Sequence, residues 1–363
     1  MDAAGQIPPH TRLLPMRRTE AGALSPIESL HPAWNATVSL LFRPFDRRRW
    51  IGLSLVCLFL GGGTSTAAFQ WGFGALPSDL HTSELLLRIR LAMAQHASLM
   101  VLAVIASLGL VLGLIYARCV LRFVLIDAVL NQEVAVGAAW KNLKSYGRSY
   151  FLWLLGVVGA VLLTVFGAAI ASLRYLALLR EVDHPWWAAA LLIVTELVAV
   201  ILIGLTIAVV ITLTDDLVAP VMYADKISLS AAWRIVGKIA RRDHGAFVLY
   251  LVLRFAVGMG ISIAVLFVLF PLLMGISAGG LVTAALGLLT LRAVGLAWVW
   301  NPWTISLAAV ALGIFTSLLF ALLSVVGMPG QVYLQNYGVR FIASRVPSLQ
   351  ALCRTTADSR RWR

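Results

Sequence analysis

The chain has 363 residues, of which 60% are hydrophobic and 12% charged, with a mean hydropathy of +0.90. That charge content is about half that of an ordinary soluble domain, which excludes a water-soluble globular protein. The formal net charge of +13 comes from Lys and Arg that flank apolar runs. They form no soluble basic domain, so nucleic acid is not an expected partner and anionic lipid headgroups are.

Residues 1–32 are polar and carry Pro8, Pro9, Pro15, Pro26 and Pro32. They contain no apolar stretch followed by a small-residue cleavage site and read as a disordered tail without a signal peptide. From residue 33 to 341 the chain reads as an all-α, polytopic transmembrane helical bundle. Its six spans are Trp50–Phe69, Ala97–Ala117, Phe151–Ala171, Trp187–Thr212, Ala246–Phe270 and Pro302–Val326. Each approaches or exceeds the ~18–20 residues that a helix needs to cross a ~30 Å hydrocarbon core. The apolar segment 271–301 is broken by Gly275, Gly279, Gly280, Gly287, Gly295 and Arg292, and reads as a re-entrant pair or an additional hairpin. Residues 342–363 form a second basic tail.

Lys and Arg crowd alternate connections: Arg47, Arg48 and Arg49, then Lys141, Lys144 and Arg148, then Arg234, Lys238, Arg241 and Arg242, and finally the tail. The intervening connections hold Arg88, Arg90, Arg174, Arg180 and Arg292. This asymmetry places both termini on the cytoplasmic side of a bacterial inner, or plasma, membrane.

An internal repeat organises the spans. AAWKNLKSYGRSYFLWLL begins at Ala138 and AAWRIVGKIARRDHGAFVLYLVLR at Ala231, and the stretches before them, Phe123–Trp140 and Asp216–Trp233, also align. A weaker copy starts at Ala33, giving three hairpins (about 33–117, 134–215 and 227–333), each preceded by an amphipathic helix. In the last copy Leu229, Trp233, Val236 and Ile239 recur with helical spacing, and Ser230, Arg234, Lys238 and Arg241 take the opposite face. Such a helix lies in the headgroup plane, with Trp140 or Trp233 setting its depth. Lys141 and Lys144, or Arg234, Lys238, Arg241 and Arg242, then reach phosphates. The unselective alternative is a basic connection that merely obeys the orientation rule.

The AW pairs at Ala139–Trp140 and Ala232–Trp233, the six spans and the closing PGQVYLQNYGVRF at Pro329–Phe341 resemble the bacterial membrane domains attached to glycerophosphoryl diester phosphodiesterases, and related six-span proteins of unknown function. The resemblance covers most of Ala33–Phe341. It implies a fold and not an activity, because the phosphodiesterase barrel with its His and Glu motifs is absent and no catalytic residue carries over.

Chemistry-bearing motifs are few. Gly275-Ile276-Ser277-Ala278-Gly279 matches GxSxG, yet no histidine follows His244 to serve as base. No phosphate loop or HExxH is present, the histidines are scattered, and the three cysteines have no metal-finger spacing, so neither metal nor cofactor is expected. Glu196 and Arg254 lie inside spans at similar depth and are the expected intramembrane pair, either a structural staple or a polar point on a transport path. Asp215 and Asp216 are expected to cap the polar break after the fourth span and to answer nearby Arg and Lys, and not to bind a metal. A polar cluster of Thr64, Ser65, Thr66, Gln95 and His96 is expected on the external side.

The reading is a non-enzymatic membrane protein that organises the membrane or partners a lipid-handling or envelope protein. The alternative is a transporter or flippase of a lipid-like or small amphipathic substrate.

Overall fold

The computed structural model describes residues 24–43, 45–60, 97–132, 134, 136–179, 186–293 and 302–361. The expected external cluster at 64–66 and 95–96, most of the amino-terminal tail and the second half of the first span lie outside these residues. The described elements are all helical: α1 (Leu30–Leu41), α2 (Arg47–Leu60), α3 (Ala97–Asn131), α4 (Val136–Leu179), α5 (Trp186–Leu213), α6 (Ala219–Asp225), α7 (Leu229–Arg242), α8 (His244–Ala293), α9 (Pro302–Ala343) and α10 (Pro347–Arg361). A π-helical turn, Thr214–Val218, joins α5 to α6 without a break.

Five helical rods are long and apolar enough to cross a membrane: Val104–Asn131, Val136–Tyr175, Ala190–Asp225, His244–Gly287 and Gly313–Ala343. Their 28 to 44 residues correspond to about 42–66 Å of helix, more than a ~30 Å hydrocarbon core requires.

The extra length builds a packed base. Buried side chains concentrate where α1, α2, the end of α3, the π turn with α6, the end of α9 and the start of α10 meet, among them Leu40, Leu53, Phe123, Ile126, Leu217, Met222, Tyr337, Phe341 and Leu349. Away from the base the rods present apolar flanks: Leu163 on α4, Ile193 on α5, and Phe255 and Phe267 on α8 are two-thirds or more exposed. Water would not tolerate so much contiguous apolar surface.

Two glycines let the base close. A Cβ at Gly147 of α4 would sit 2.9 Å from the Cα of Val120 on α3, and one at Gly338 of α9 would sit 2.8 Å from the carbonyl oxygen of Asp216. Both obstacles are backbone and cannot rotate away.

The breaks of the repeat also take shape. After α3 the chain turns through Gln132 with φ 58°, and after α6 through Lys226 with φ 54°, both left-handed. The next helices start at Val136 and Leu229. From there the copies diverge. α7 ends at Asp243, whose side chain accepts from Arg345 Nη2 at 2.8 Å, and a new helix begins. The equivalent stretch after Trp140 has no stop, and α4 runs through it, so the separate helix expected there is the first part of a rod. In the first copy Trp50 Nε1 donates to the Leu41 carbonyl at 2.8 Å and fixes the turn between α1 and α2.

No re-entrant turn occurs within 271–293, because α8 continues through Pro271 and every glycine to Ala293. In apolar surroundings the backbone has no alternative hydrogen-bond partners, so helix persists across residues that would break it in water.

The close approaches predict that Gly338→Ala and Gly147→Ala each destabilise the purified protein by about 1–3 kcal/mol through overpacking. Gly156→Ala, where a Cβ meets nothing within 4 Å, leaves the unfolding midpoint in detergent unchanged.

Candidate functional site

The most polar point of the interior is built on the π turn. Pro220 follows Asp216 by four residues, and in a regular helix its ring would strike the Asp216 carbonyl. The wider turn relieves that clash and places two consecutive carboxylates in the bundle.

Asp216 is fully buried. Its Oδ1 accepts from Arg122 Nη2 of α3 at 3.0 Å, and its Oδ2 accepts from Arg254 Nε of α8 at 2.5 Å and from the Tyr250 hydroxyl at 3.1 Å. Asp215 accepts from the Tyr150 hydroxyl of α4 at 2.5 Å and lies 3.7 Å from Arg122. Two carboxylates and two guanidiniums thus cancel, and the donors come from α3, α4 and α8.

Aromatic rings frame the cluster. Tyr250 stacks against Tyr337 at 5.0 Å and Phe341 at 4.6 Å, both on α9. On the other side Tyr150 stacks on Trp153 at 5.7 Å, and Trp153 meets Trp233 of α7 at 6.5 Å. Two peripheral links extend the network: Asp127 accepts from Tyr223 at 2.5 Å and Asn131 at 2.7 Å, and Arg345 lies 4.1 Å over the Phe341 ring while it bonds Asp243.

The expected pair of Glu196 and Arg254 is therefore replaced by other partners. Arg254 reaches Asp216, while Glu196 on α5 accepts from Ser172 on α4. Depth along two rods was a sound criterion, but a fully buried carboxylate with room for two guanidiniums competes better than one facing a hydroxyl. Asp215 and Asp216 do not cap a break, since they sit inside a continuous rod, but they do answer nearby arginines, Arg122 and Arg254.

Trp140 and Trp233 are half-buried and pack on the protein core, and the indole N–H of Trp233 is buried without a hydrogen-bond partner. Lys141, Lys144, Arg234, Lys238, Arg241 and Arg242 are exposed. On α7 the inward face, Leu229, Ala232 and Val236, is buried against the base.

Sequence reasoning missed Arg122, Tyr150 and Tyr250. A signal was present: Arg122 and Asp215 stand 93 residues apart (215 − 122), the same spacing as the paired tryptophans (233 − 140), with opposite charges in the same register.

Chemically the cluster is closed. Asp216 already accepts three hydrogen bonds, and the cavity beside it, lined by Arg118, Arg122, Tyr150 and Asp215 among others, measures about 50 Å³. That is room for one or two waters. Among the described residues no group of three or more His, Cys, Asp or Glu is arranged to hold a metal ion. Ser277 lies within continuous helix and not on a strand-to-helix elbow.

Residues 24–352 match a family described as a family of unknown function (DUF7544). No curated protein and no solved structure matches the chain. The match agrees with the expected membership of an uncharacterised family, and nothing in it supports a relationship to glycerophosphoryl diester phosphodiesterases.

Removing the carboxylate charge tests the cluster. Asp216→Asn takes the carboxylate from Arg254 and leaves Arg122 with Asp215 alone at 3.7 Å, which should cost about 3 kcal/mol, read as a large fall in the unfolding midpoint. Glu196→Gln keeps an acceptor for Ser172 and should cost less than about 1 kcal/mol.

Proposed function

Since the chain belongs to the DUF7544 family of unknown function, we propose from its physical chemistry that it is a non-enzymatic integral membrane protein that organises the bilayer or serves as an accessory partner of lipid-handling or envelope proteins. The observation that carries this reading is the contrast between the closed, charge-neutral carboxylate cluster in the base and the apolar flanks of the rods above it. A catalyst or carrier needs groups with unused bonding capacity facing a substrate. Here the ionisable groups at the centre are occupied with one another.

In this reading six crossings form three hairpins in one orientation, with the base and both termini on the cytoplasmic side. The 93-residue spacing of the tryptophans and of Arg122 and Asp215 supports the repeat, and the distribution of Lys and Arg supports the orientation. α7 is the membrane-surface element. Its apolar face holds it to the base, which leaves Arg234, Lys238, Arg241 and Arg242 outward to meet anionic headgroups. Partner proteins would bind the same scaffold, whereas transport of an amphipathic substrate would require a continuous polar path reaching the depth of Glu196, whose carboxylate instead accepts from Ser172.

The test uses the full chain in nanodiscs of rising anionic-lipid content at low salt. The wild type should gain thermal stability with anionic lipid, and a variant with Arg234, Lys238, Arg241 and Arg242 changed to Gln should lose most of that gain. Equal gains in both proteins would overturn the assignment of α7, and substrate counterflow in proteoliposomes would overturn the non-transport reading.

A further inference from the structure

A cavity of about 470 Å³ opens between α1, the end of α3, α9 and α10. Its described polar lining comprises Arg340, His31, Asn35, Ser39, Gln132 and Asn336, and no Asp or Glu is among the described lining residues. None of them lies on α7 or in the carboxylate cluster, so the inference does not depend on the roles given to either.

Two lining residues have unused bonding capacity. Arg340 Nε and Gln132 Oε1 have no hydrogen-bond partner, one a cationic donor and the other an acceptor, and both are shielded from solvent, so a ligand in the cavity meets them when these side chains shift toward it. Arg340 forms no ion pair among the described residues, unlike Arg122, Arg254 and Arg345. Gln132 is held in place: its backbone is left-handed at φ 58° and its Nε2 donates to the Val129 carbonyl at 3.0 Å. The left-handed turn that ends α3 thus fixes the backbone from which this side chain projects. Across the cavity Asn336 is buried and spends both amide hydrogens, on Thr37 at 3.2 Å and on the Val332 carbonyl at 3.0 Å.

This donor set selects a class of ligand. Arg340 disfavours a cation, and no carboxylate stands among the described lining residues to offset it. The Cys353 thiol also lines it, and burial, partly offset by Arg340, pushes that thiol up, so it adds no negative charge at neutral pH. An anion with several acceptor oxygens suits a guanidinium fork, phosphate above all. The Gln132 oxygen calls for a hydroxyl or ammonium hydrogen on the same ligand. The volume falls within the range of small-molecule sites.

We propose that this cavity binds a phosphate ester that carries a hydroxyl or ammonium group, with Arg340 on the phosphate and Gln132 on the second group. The same chemistry is offered by a lipid headgroup and by a soluble phosphate ester. The full chain, purified in a non-ionic detergent, is titrated calorimetrically with O-phosphoethanolamine, inorganic phosphate and dihexanoylphosphatidylethanolamine. Arg340→Gln and Ser39→Phe, which fills the cavity from α1, are compared with the wild type after circular dichroism and size exclusion confirm the fold.

The expected result is saturable binding of at least one ester, more tightly than inorganic phosphate, weakened about tenfold or more by each variant, a change of the size that loss of a charged hydrogen bond produces. Tighter binding of the short-chain lipid assigns the source to the bilayer, and equal or tighter binding of O-phosphoethanolamine assigns it to a soluble ester. No binding of any probe, or affinities unchanged in both variants, would overturn the proposal.

Discussion

Asp216 is the constraint on which the base depends. A carboxylate with no exposure to solvent needs donors to replace its hydration, and here two guanidiniums and a phenol do so. These donors belong to α3 and α8, so one side chain of the π turn ties together rods that are distant in sequence. Gly338 follows from the same demand, because α9 must approach the Asp216 backbone to close the site against Tyr250. The stack of Tyr337, Tyr250 and Phe341 then seals it with ring surface.

Once the base is locked, the rods above it need little mutual packing. In a hydrocarbon medium apolar side chains gain nothing by leaving lipid for protein, and helices associate through close packing and polar links. The exposed flanks of α4, α5 and α8 fit that expectation, with Ser172 and Glu196 as a polar link between rods away from the base. Among the described residues, the ion pairs of Arg122, Arg254 and Arg345 all lie toward the base.

Much of the fold was legible in the residues. Apolar runs of sufficient length located the long helices, and the AW register located the starts of α4 and α7, because burial and helical period leave marks in one dimension. Other features were not legible. Pro271 and the glycines after it look like breakers to a reader who assumes water as the alternative partner, yet α8 ignores them. Lys141 and Lys144 look like the equivalents of Arg234 and Lys238, but Asp243 provides a stop in one copy that the other lacks. Pairing Glu196 with Arg254 used depth alone, whereas partner choice is set by which rods are neighbours and by how completely a charge is buried. The cavity at Arg340 and Gln132 depends on four elements converging, and no local pattern announces it.

The central claim is that Asp216 and Arg254 are energetically coupled across the bundle and are not merely adjacent. A double-mutant cycle with Asp216→Asn, Arg254→Met and the combined variant, read by reversible unfolding in mixed micelles, measures that coupling directly. The account predicts a coupling of about 2 kcal/mol or more, within the range found for contacting pairs, so that the second substitution costs far less once the first is present. Additive losses, with a coupling near zero, would contradict it.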